Sequence, residues 1–322
     1  MKPAIGTCNS LGSLKAEVNR NPIIQSTTLR NPAIRTAEGQ ECLLAELEWL
    51  RTSPDLMLAP SEFSCPDEIR FGSGTIGSSA DLTDYEPRWR LGEHFENIVH
   101  FHLKNNDQIS DIHRNIQVAK DKITLGEMDF LLKLGSRWIH LEVALKLYLL
   151  DPVDDAEPID LAGFIGTRRK DCLATKWRRM LSHQLPLSQR PEAQQVLTEL
   201  GVEESPLPAV WVKGWLFYHP LQAKTPAPAG VNPEHLRGWW LTWSELELLS
   251  NKGERFMLPG KPDWLLPPAC LGNPVFTLDE LRTHLQDQHR GNLVVALERV
   301  DGGWLESSRG FVVPDNWPGS SR

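Results

Sequence analysis

The feature that most constrains the fold is a pair of alternating segments separated by a Gly-Ser turn. Residues 127–134 and 138–147 place apolar side chains at every second position, and Gly135-Ser136 lies between them. Because successive side chains of a β-strand point to opposite faces, this period predicts two antiparallel strands joined as a hairpin. The predicted apolar face comprises Met128, Phe130, Leu132 and Leu134 in the first strand and Ile139, Leu141, Val143, Leu145 and Leu147 in the second.

The opposite face of the hairpin carries two acids that strand pairing would bring together. Asp129 lies there on the first strand, and His140, Glu142 and Lys146 lie there on the second. Neighbouring strands are about 4.8 Å apart, so the carboxyl groups of Asp129 and Glu142 can meet at one point. Two such carboxylates repel each other unless a cation lies between them, and Mg²⁺ prefers oxygen ligands. The flexible side chain of Lys146 could orient a water molecule there.

The elements around the hairpin predict a mixed α/β sheet flanked by helices. Apolar residues at three- and four-residue steps predict helices over residues 43–56, 90–103 and 167–185. A short strand is expected over residues 115–119, and a strongly apolar strand over residues 209–218. From residue 90 onward the order is therefore helix, three strands, helix, strand.

We expect the chain to have four parts. Residues 1–40 are predicted to be weakly ordered, residues 41–88 to form a helical and loop extension, and residues 89–220 to form the core. Residues 221–322 are predicted to be a C-terminal α/β extension with strands over 293–298 and 304–313. A helix in that extension begins at Thr277, because Thr277 and Glu280 have the spacing of a capping box.

The predicted helix over residues 167–185 is basic, although the chain is acidic overall. A net charge of -8 argues against a protein that coats nucleic acid with its whole surface. This segment, however, has six lysine and arginine residues against one aspartate. We interpret it as a surface that contacts a nucleic-acid backbone, the alternative being a solvated helix face. Gln184 either reaches the acidic site or satisfies a buried hydrogen bond. The candidate contact residues are Lys176, Arg179, His183 and Gln184.

Cysteine usage and hydropathy bear on the compartment. The five cysteines are scattered and form no Cys-x-x-Cys pair, which argues against a disulfide framework. No segment reaches the roughly 18 apolar residues that a membrane-spanning helix needs. Residues 1–30 lack the apolar core of a secretory signal. These features predict a soluble, cytoplasmic protein that does not associate with a membrane.

The hairpin residues also resemble a known superfamily. Gly126-Glu127-Met128-Asp129, followed in the next strand by Glu142 and Lys146, resembles the PD-(D/E)XK nucleases over residues 89–218. Residues 140–149 (HLEVALKLYL), 168–185, 29–32 and 53–55 resemble a bacterial family, domain-of-unknown-function family 1853. That narrower resemblance would cover most of the chain.

The superfamily resemblance implies a restriction-endonuclease-like core and a divalent-metal nuclease that acts on nucleic acid, DNA more than RNA. It implies that Asp129 and Glu142 bind Mg²⁺ or Mn²⁺ and that Glu96 completes the acidic cluster. Lys146 would assist the attacking water. The usual motif places lysine two residues after the acid, where this chain has Ala144. A nucleic-acid-binding protein without cleavage, a metal-independent hydrolase and a structural polar cluster therefore stay open as alternatives.

Overall fold

A mixed β-sheet organises the computed structural model, which describes residues 37–72, 85, 88–151, 159–286 and 288–317. Ten strands in these residues belong to the sheet. They are β1 Ile109–Lys120, β2 Ile123–Leu134, β3 Arg137–Leu150, β4 Phe164–Ile165, β5 Leu207–Tyr218, β6 Leu236–Thr242, β7 Arg255–Met257, β8 Val275–Phe276, β9 Asn292–Val300 and β10 Gly303–Val313.

The spatial order of the strands differs from their order along the chain. It is β1-β2-β3-β5-β6-β10-β9-β7-β8, and β4 pairs with the end of β3. The pairs β3–β5, β5–β6 and β6–β10 are parallel, and the other neighbours are antiparallel. Parallel pairing of β5 with β6 carries the sheet across residue 220, where the sequence suggested that the core ends.

Helices cover both faces of the sheet, which confirms the mixed α/β fold. Val143 packs with the apolar residues of α1 and α3, whereas Ala144, the next residue of β3, packs with those of α4 on the opposite face. No helix among the described residues has the length and apolar content needed to cross a membrane. The helices are α1 Ala37–Thr52, α2 Asp67–Phe71, α3 Leu91–Lys104, α4 Leu173–Arg179, α5 Gln194–Glu199 and α6 Leu278–Leu285.

Most predicted elements are present with shifted ends. β2 and β3 form the predicted hairpin about Gly135-Ser136, and α3 and β5 match the predicted helix and strand. The order helix, three strands, helix, strand is found, with β4 and α5 inserted. α1 begins before the predicted helix and ends at Thr52, because Pro54 disfavours helix in the residue that precedes it. Thr277 and Glu280 form the expected capping box of α6.

The helix predicted over residues 167–185 is wrong in extent. Residues 167–170 form a turn in which Arg169 has a φ of 54° and donates its backbone N–H to Gly166 O. α4 then covers only Leu173–Arg179, followed by a π-helical turn (Met180–Gln184) and a 3₁₀ turn (Leu185–Gln189). Pro186 has no N–H to continue an α-helical ladder, so the helix changes type before it.

The predicted apolar face of β2 is wrong at one position. Met128 packs with Leu131 on the α5 side of the sheet, whereas Phe130 packs on the α3 side. Regular alternation would put Met128 and Phe130 on the same face. The irregularity falls at Asp129, which lies opposite Asn115 of β1, a residue with a φ of 55°. The regular alternation of β2 is therefore interrupted at the candidate site.

Gly214 allows β5 to approach β3 beside Lys146, and its replacement should destabilise the fold. Its φ is +141°, and an added Cβ would lie 1.8 Å from Lys146 O. We expect Gly214→Ala to lower the free energy of unfolding by about 3 kcal/mol, measured by urea denaturation. The control is Gly92→Ala in α3, where a Cβ meets no atom within 4 Å and should stabilise by about 0.5–1 kcal/mol. Equal stability of Gly214→Ala and the wild type would contradict this packing.

Candidate active site at the fork between β2 and β3

The backbone pairing of β2 with β3 stops at Phe130 and Leu141, directly before the two predicted acids. Beyond that pair, side chains replace backbone carbonyls as acceptors. The Asp129 carboxylate accepts a hydrogen bond from Val143 N–H at 2.9 Å, and the Glu142 carboxylate accepts one from Asp129 N–H at 3.3 Å. We call this place, where the strands diverge around Asp129 and Glu142, the fork.

Glu142 is fully enclosed and held by protein groups. Its side chain and that of His140 are 0% exposed. Glu142 Oε1 lies 2.9 Å from His140 Nε2, and Gln184 Nε2 donates to Glu142 Oε2 at 2.6 Å. His140 Nδ1 in turn lies 3.0 Å from Ser188 Oγ. Both oxygens of Glu142 therefore have partners, and Gln184 from the π-helical turn reaches the acidic site.

The acids of the fork form one electrostatic cluster. Burial raises the pKa of Asp129 well above its ordinary value, and the charge of Glu142 raises it further. Burial also raises the pKa of Glu96 on α3, where Arg114 opposes the shift and Glu142 adds to it. The structure thus brings Glu96 within electrostatic reach of Asp129 and Glu142.

Lys146 supplies a positive charge to the same region. Burial lowers its pKa and Lys176 lowers it further, whereas Asp171, Asp129 and Glu96 act in the opposite direction. Within the described part of the chain, the Lys146 ammonium has no hydrogen-bond or ion-pair partner. The Lys146 side chain is therefore close to the acids, and no hydrogen bond or ion pair in the described residues holds its ammonium in place.

The packing of Ala144 explains why the lysine does not lie two residues after Glu142. Ala144 is buried in an apolar cluster with Leu173 of α4 and Val210 of β5. An ammonium at this position would lie among apolar side chains, at a cost of several kcal/mol. Lys146 lies one repeat further along the same strand.

The predicted nucleic-acid contact residues differ in their positions and contacts. Lys176 forms an ion pair with Asp171 at 3.3 Å, and its charge acts on the pKa of Lys146. His183 lies 3.2 Å from Leu125 O, so it ties the π-helical turn to β2. Arg179 is exposed on α4. Lys176 and Gln184 therefore lie near the fork, whereas His183 has a packing contact and Arg179 faces outward.

Two residues of the site were not assigned from the sequence. His140 was placed on the face of Glu142, two residues before it on one strand, but it was given no role in the site. Ser188 lies 48 residues from His140 in a 3₁₀ turn, and no local pattern connects them.

A pair of carboxylates provides the oxygen ligands that a hard divalent cation prefers. In the described residues, no group of three or more His, Cys, Asp or Glu side chains is arranged to hold a metal ion. Mg²⁺, however, commonly uses one or two carboxylates and takes its other ligands from water and substrate phosphates. A cation between Asp129 and Glu142 would also offset the repulsion that raises the pKa of Asp129. The oxygen-only donor pair therefore suits Mg²⁺ or Mn²⁺.

The sequence profile of one family, described as "Domain of unknown function (DUF1853)", matches residues 74–313. The chain belongs to the DUF1853 family. The match includes the fork and all ten described strands. Segments 29–32 and 53–55, which also carried the resemblance, lie outside the matched residues. Comparison of this DUF1853 chain with curated proteins gave no match, and comparison with solved structures gave none.

The raised pKa of Asp129 predicts a stability effect that depends on pH. The fold favours the protonated carboxyl, so its stabilising contribution is present at low pH and is lost as the pH rises through the folded-state pKa. Asp129→Asn should therefore be more stable than the wild type at pH 7 in EDTA. This difference should shrink as the pH falls to about 4, near the ordinary pKa of aspartate. Urea denaturation at both pH values measures it.

The matched control for this prediction is Asp121→Asn, which makes the same substitution at an exposed acid in the turn before β2, outside the electrostatic cluster of the fork. This substitution should change stability by no more than about 0.5 kcal/mol at either pH. A lower stability of Asp129→Asn at pH 7 would contradict the prediction, because it would mean that the ionised carboxylate stabilises the fold.

Proposed function

We propose that the fork is the active centre of a Mg²⁺- or Mn²⁺-dependent nuclease that hydrolyses phosphodiester bonds of nucleic acid, with DNA preferred over RNA. The observation that supports this function is the pairing of the Asp129 and Glu142 carboxylates where β2 and β3 diverge. The proposal includes the finer fold resemblance, in which α3, β1, β2, β3, α4 and β5 form a restriction-endonuclease-like core of the PD-(D/E)XK type.

Each residue of the fork has a chemical role in this proposal. Asp129 and Glu142 would hold the ion, which when bound supplies Lewis-acid stabilisation of phosphate charge and a more acidic water. His140 and Gln184 fix the orientation of the Glu142 carboxylate. The ammonium of Lys146, which has no hydrogen-bond partner in the described residues, is available to donate a hydrogen bond to the attacking water or to a phosphate oxygen.

Glu96 contributes through its charge. Its raised pKa reflects burial and the neighbouring acids, so a cation at the fork would favour its ionised form. The negative potential of the three acids would concentrate divalent cations at the fork, whereas the phosphate backbone needs the positive charge of Lys146 and Lys176.

A second candidate is a protein that binds nucleic acid without cleaving it. This candidate is favoured by the protein groups that already contact both oxygens of Glu142. Oε2 of Glu142 accepts from Gln184, and Oε1 is next to His140 and the backbone N–H of Asp129. An ion can use Glu142 only if it shares these oxygens or if the Gln184 amide moves away. A protein in which the amide never moves would bind nucleic acid but would not turn it over.

The direct test is cleavage of plasmid and single-stranded DNA and RNA with Mg²⁺, with Mn²⁺ and with EDTA. We expect cleavage by the wild type that EDTA abolishes. Asp129→Asn and Lys146→Met should each reduce the rate at least about a hundredfold, because each removes a group that acts on the transition state. Asp121→Asn is the matched control and should cleave at the wild-type rate, because Asp121 lies in the exposed turn before β2 and does not act on the pKa values of Asp129 and Glu96.

Calorimetric titration with Mg²⁺ separates the two candidates. The nuclease should bind Mg²⁺ in the wild type and more weakly in Asp129→Asn. Salt-sensitive DNA binding with neither Mg²⁺ binding nor cleavage would favour the non-cleaving protein. Cleavage that persists unchanged in the Asp129→Ala, Glu142→Ala double variant would exclude the fork as the active centre.

A further inference from the structure

A second concave site lies away from the fork. Its volume is about 750 Å³, within the range of about 300–1,000 Å³ that is usual for small-ligand sites. Four segments form its walls: the turn at 167–170, residues 259–264 after β7, residues 288–293 leading into β9, and residues 314–317 after β10. We call it the basic cleft.

Positive charge is concentrated in the basic cleft. Five lysine and arginine residues line it, and no aspartate or glutamate of the described chain does. None of the five forms an ion pair within the described residues. Burial, together with the charge of Arg168, lowers the pKa of Lys261, as expected where cations crowd one another. The five residues are Arg168, Arg169, Lys170, Lys261 and Arg290.

Two acids close to the basic cleft have interaction partners outside it. Asp171 forms its ion pair with Lys176, and Asp315 accepts a hydrogen bond from the backbone of the 3₁₀ turn after β6 at 2.7 Å. Arg169 acts on Asp151, whose pKa is raised by burial and lowered by this arginine. Arg169 therefore has a neighbouring acid that provides an opposite charge. Asp263 also lies within the wall at 259–264, where burial raises its pKa.

The walls of the cleft are fixed by packing and present an aromatic ring. The indole of Trp264 lines the cleft, donates its N–H to Pro259 O at 3.3 Å and packs against Phe311 with ring centroids 5.2 Å apart. A Cβ added at Gly291 would lie 3.5 Å from Thr167, so two of the walls lie close together. Lys261 Nζ lies over the Trp264 ring, 5.6 Å from its centroid. An aromatic surface beside cations that have no acidic partner is the combination that binds bases and phosphates of single-stranded nucleic acid.

We infer that the basic cleft binds the phosphate groups of a nucleotide unit, with Trp264 beside the base. The same chemistry serves a free nucleotide and one unit of a single strand. The chain connects the cleft with the region of the fork, because Asp171 follows the turn directly and forms an ion pair with Lys176, whose charge acts on Lys146. This continuity favours a single strand. The inference requires neither a metal nor cleavage, so it stands or falls independently of the proposed function.

The test compares two triple variants that remove equal charge. The cleft variant removes cations from three walls of the cleft, and the control removes cations from exposed turns and strand ends outside it. Arg290→Glu alone is a further cleft variant at an exposed position, and far-UV circular dichroism checks that each protein is folded. The cleft variant is Arg168→Gln, Lys261→Gln, Arg290→Gln, and the control is Lys122→Gln, Arg137→Gln, Arg299→Gln.

Binding is measured in EDTA, so that catalysis at the fork has no influence. The probes are a fluorescein-labelled single-stranded oligonucleotide, followed by anisotropy over a range of salt, and ATP, followed by calorimetry. We expect the cleft variant to bind the oligonucleotide about tenfold more weakly, with a salt slope smaller by about 2, since each phosphate contact on a single strand contributes about 0.7. The control should keep the wild-type slope.

The two probes identify the source of the phosphate. Loss of ATP binding in the cleft variant would assign the cleft to a nucleotide, and an effect confined to the oligonucleotide would assign it to a strand; both outcomes support the inference. Indistinguishable binding of both probes by the cleft variant, Arg290→Glu and the control would overturn it. Absence of cleavage by the wild type would count against the proposed function alone.

Discussion

The structure around the candidate site depends on an exchange of hydrogen bonds in which carboxylates take the place of backbone carbonyls. Asp129 accepts from the backbone of β3, and Glu142 accepts from the backbone of β2. A sheet normally keeps its two faces apart, so α3 and the π-helical turn after α4 could not act on one point through a closed ladder. The gap lets Glu96 from one face and Gln184 from the other influence the same pair of acids.

This arrangement is unfavourable for the fold taken alone. Two acids are buried together, and burial and mutual repulsion raise the pKa of Asp129. Hydrogen bonds from His140, Gln184 and two backbone N–H groups offset part of that cost. Buried titratable groups with strongly shifted pKa values concentrate at functional sites, where chemistry and not stability determines which residues are present. That general tendency is why the fork carries the functional proposal.

Sequence periodicity predicted the elements that have strong local patterns. The hairpin, α3, β5 and the capping box of α6 are all encoded within a few residues, and they were found. Met128 was placed on the wrong face because the alternation of β2 is interrupted at Asp129, near the positive φ of Asn115 in β1, and the local sequence of β2 carries no sign of this. The predicted basic helix extended too far, because the charge of residues 167–170 does not distinguish a turn from a helix. The parallel pairing of β6 with β10, and the contact of His140 with Ser188, join distant residues and leave no local signal.

The position of β10 has a consequence for how this chain is made. The ribosome releases β10 (Gly303–Val313) last of all the described strands, yet β10 lies inside the sheet between β6 and β9. A nascent chain that ends before residue 303 leaves β6 and β9 each with one open edge, and such edges can pair with other chains. Completion of the sheet therefore has to wait until residue 313 has been synthesised, so a premature stop within residues 303–313 would affect the middle of the sheet and not its rim.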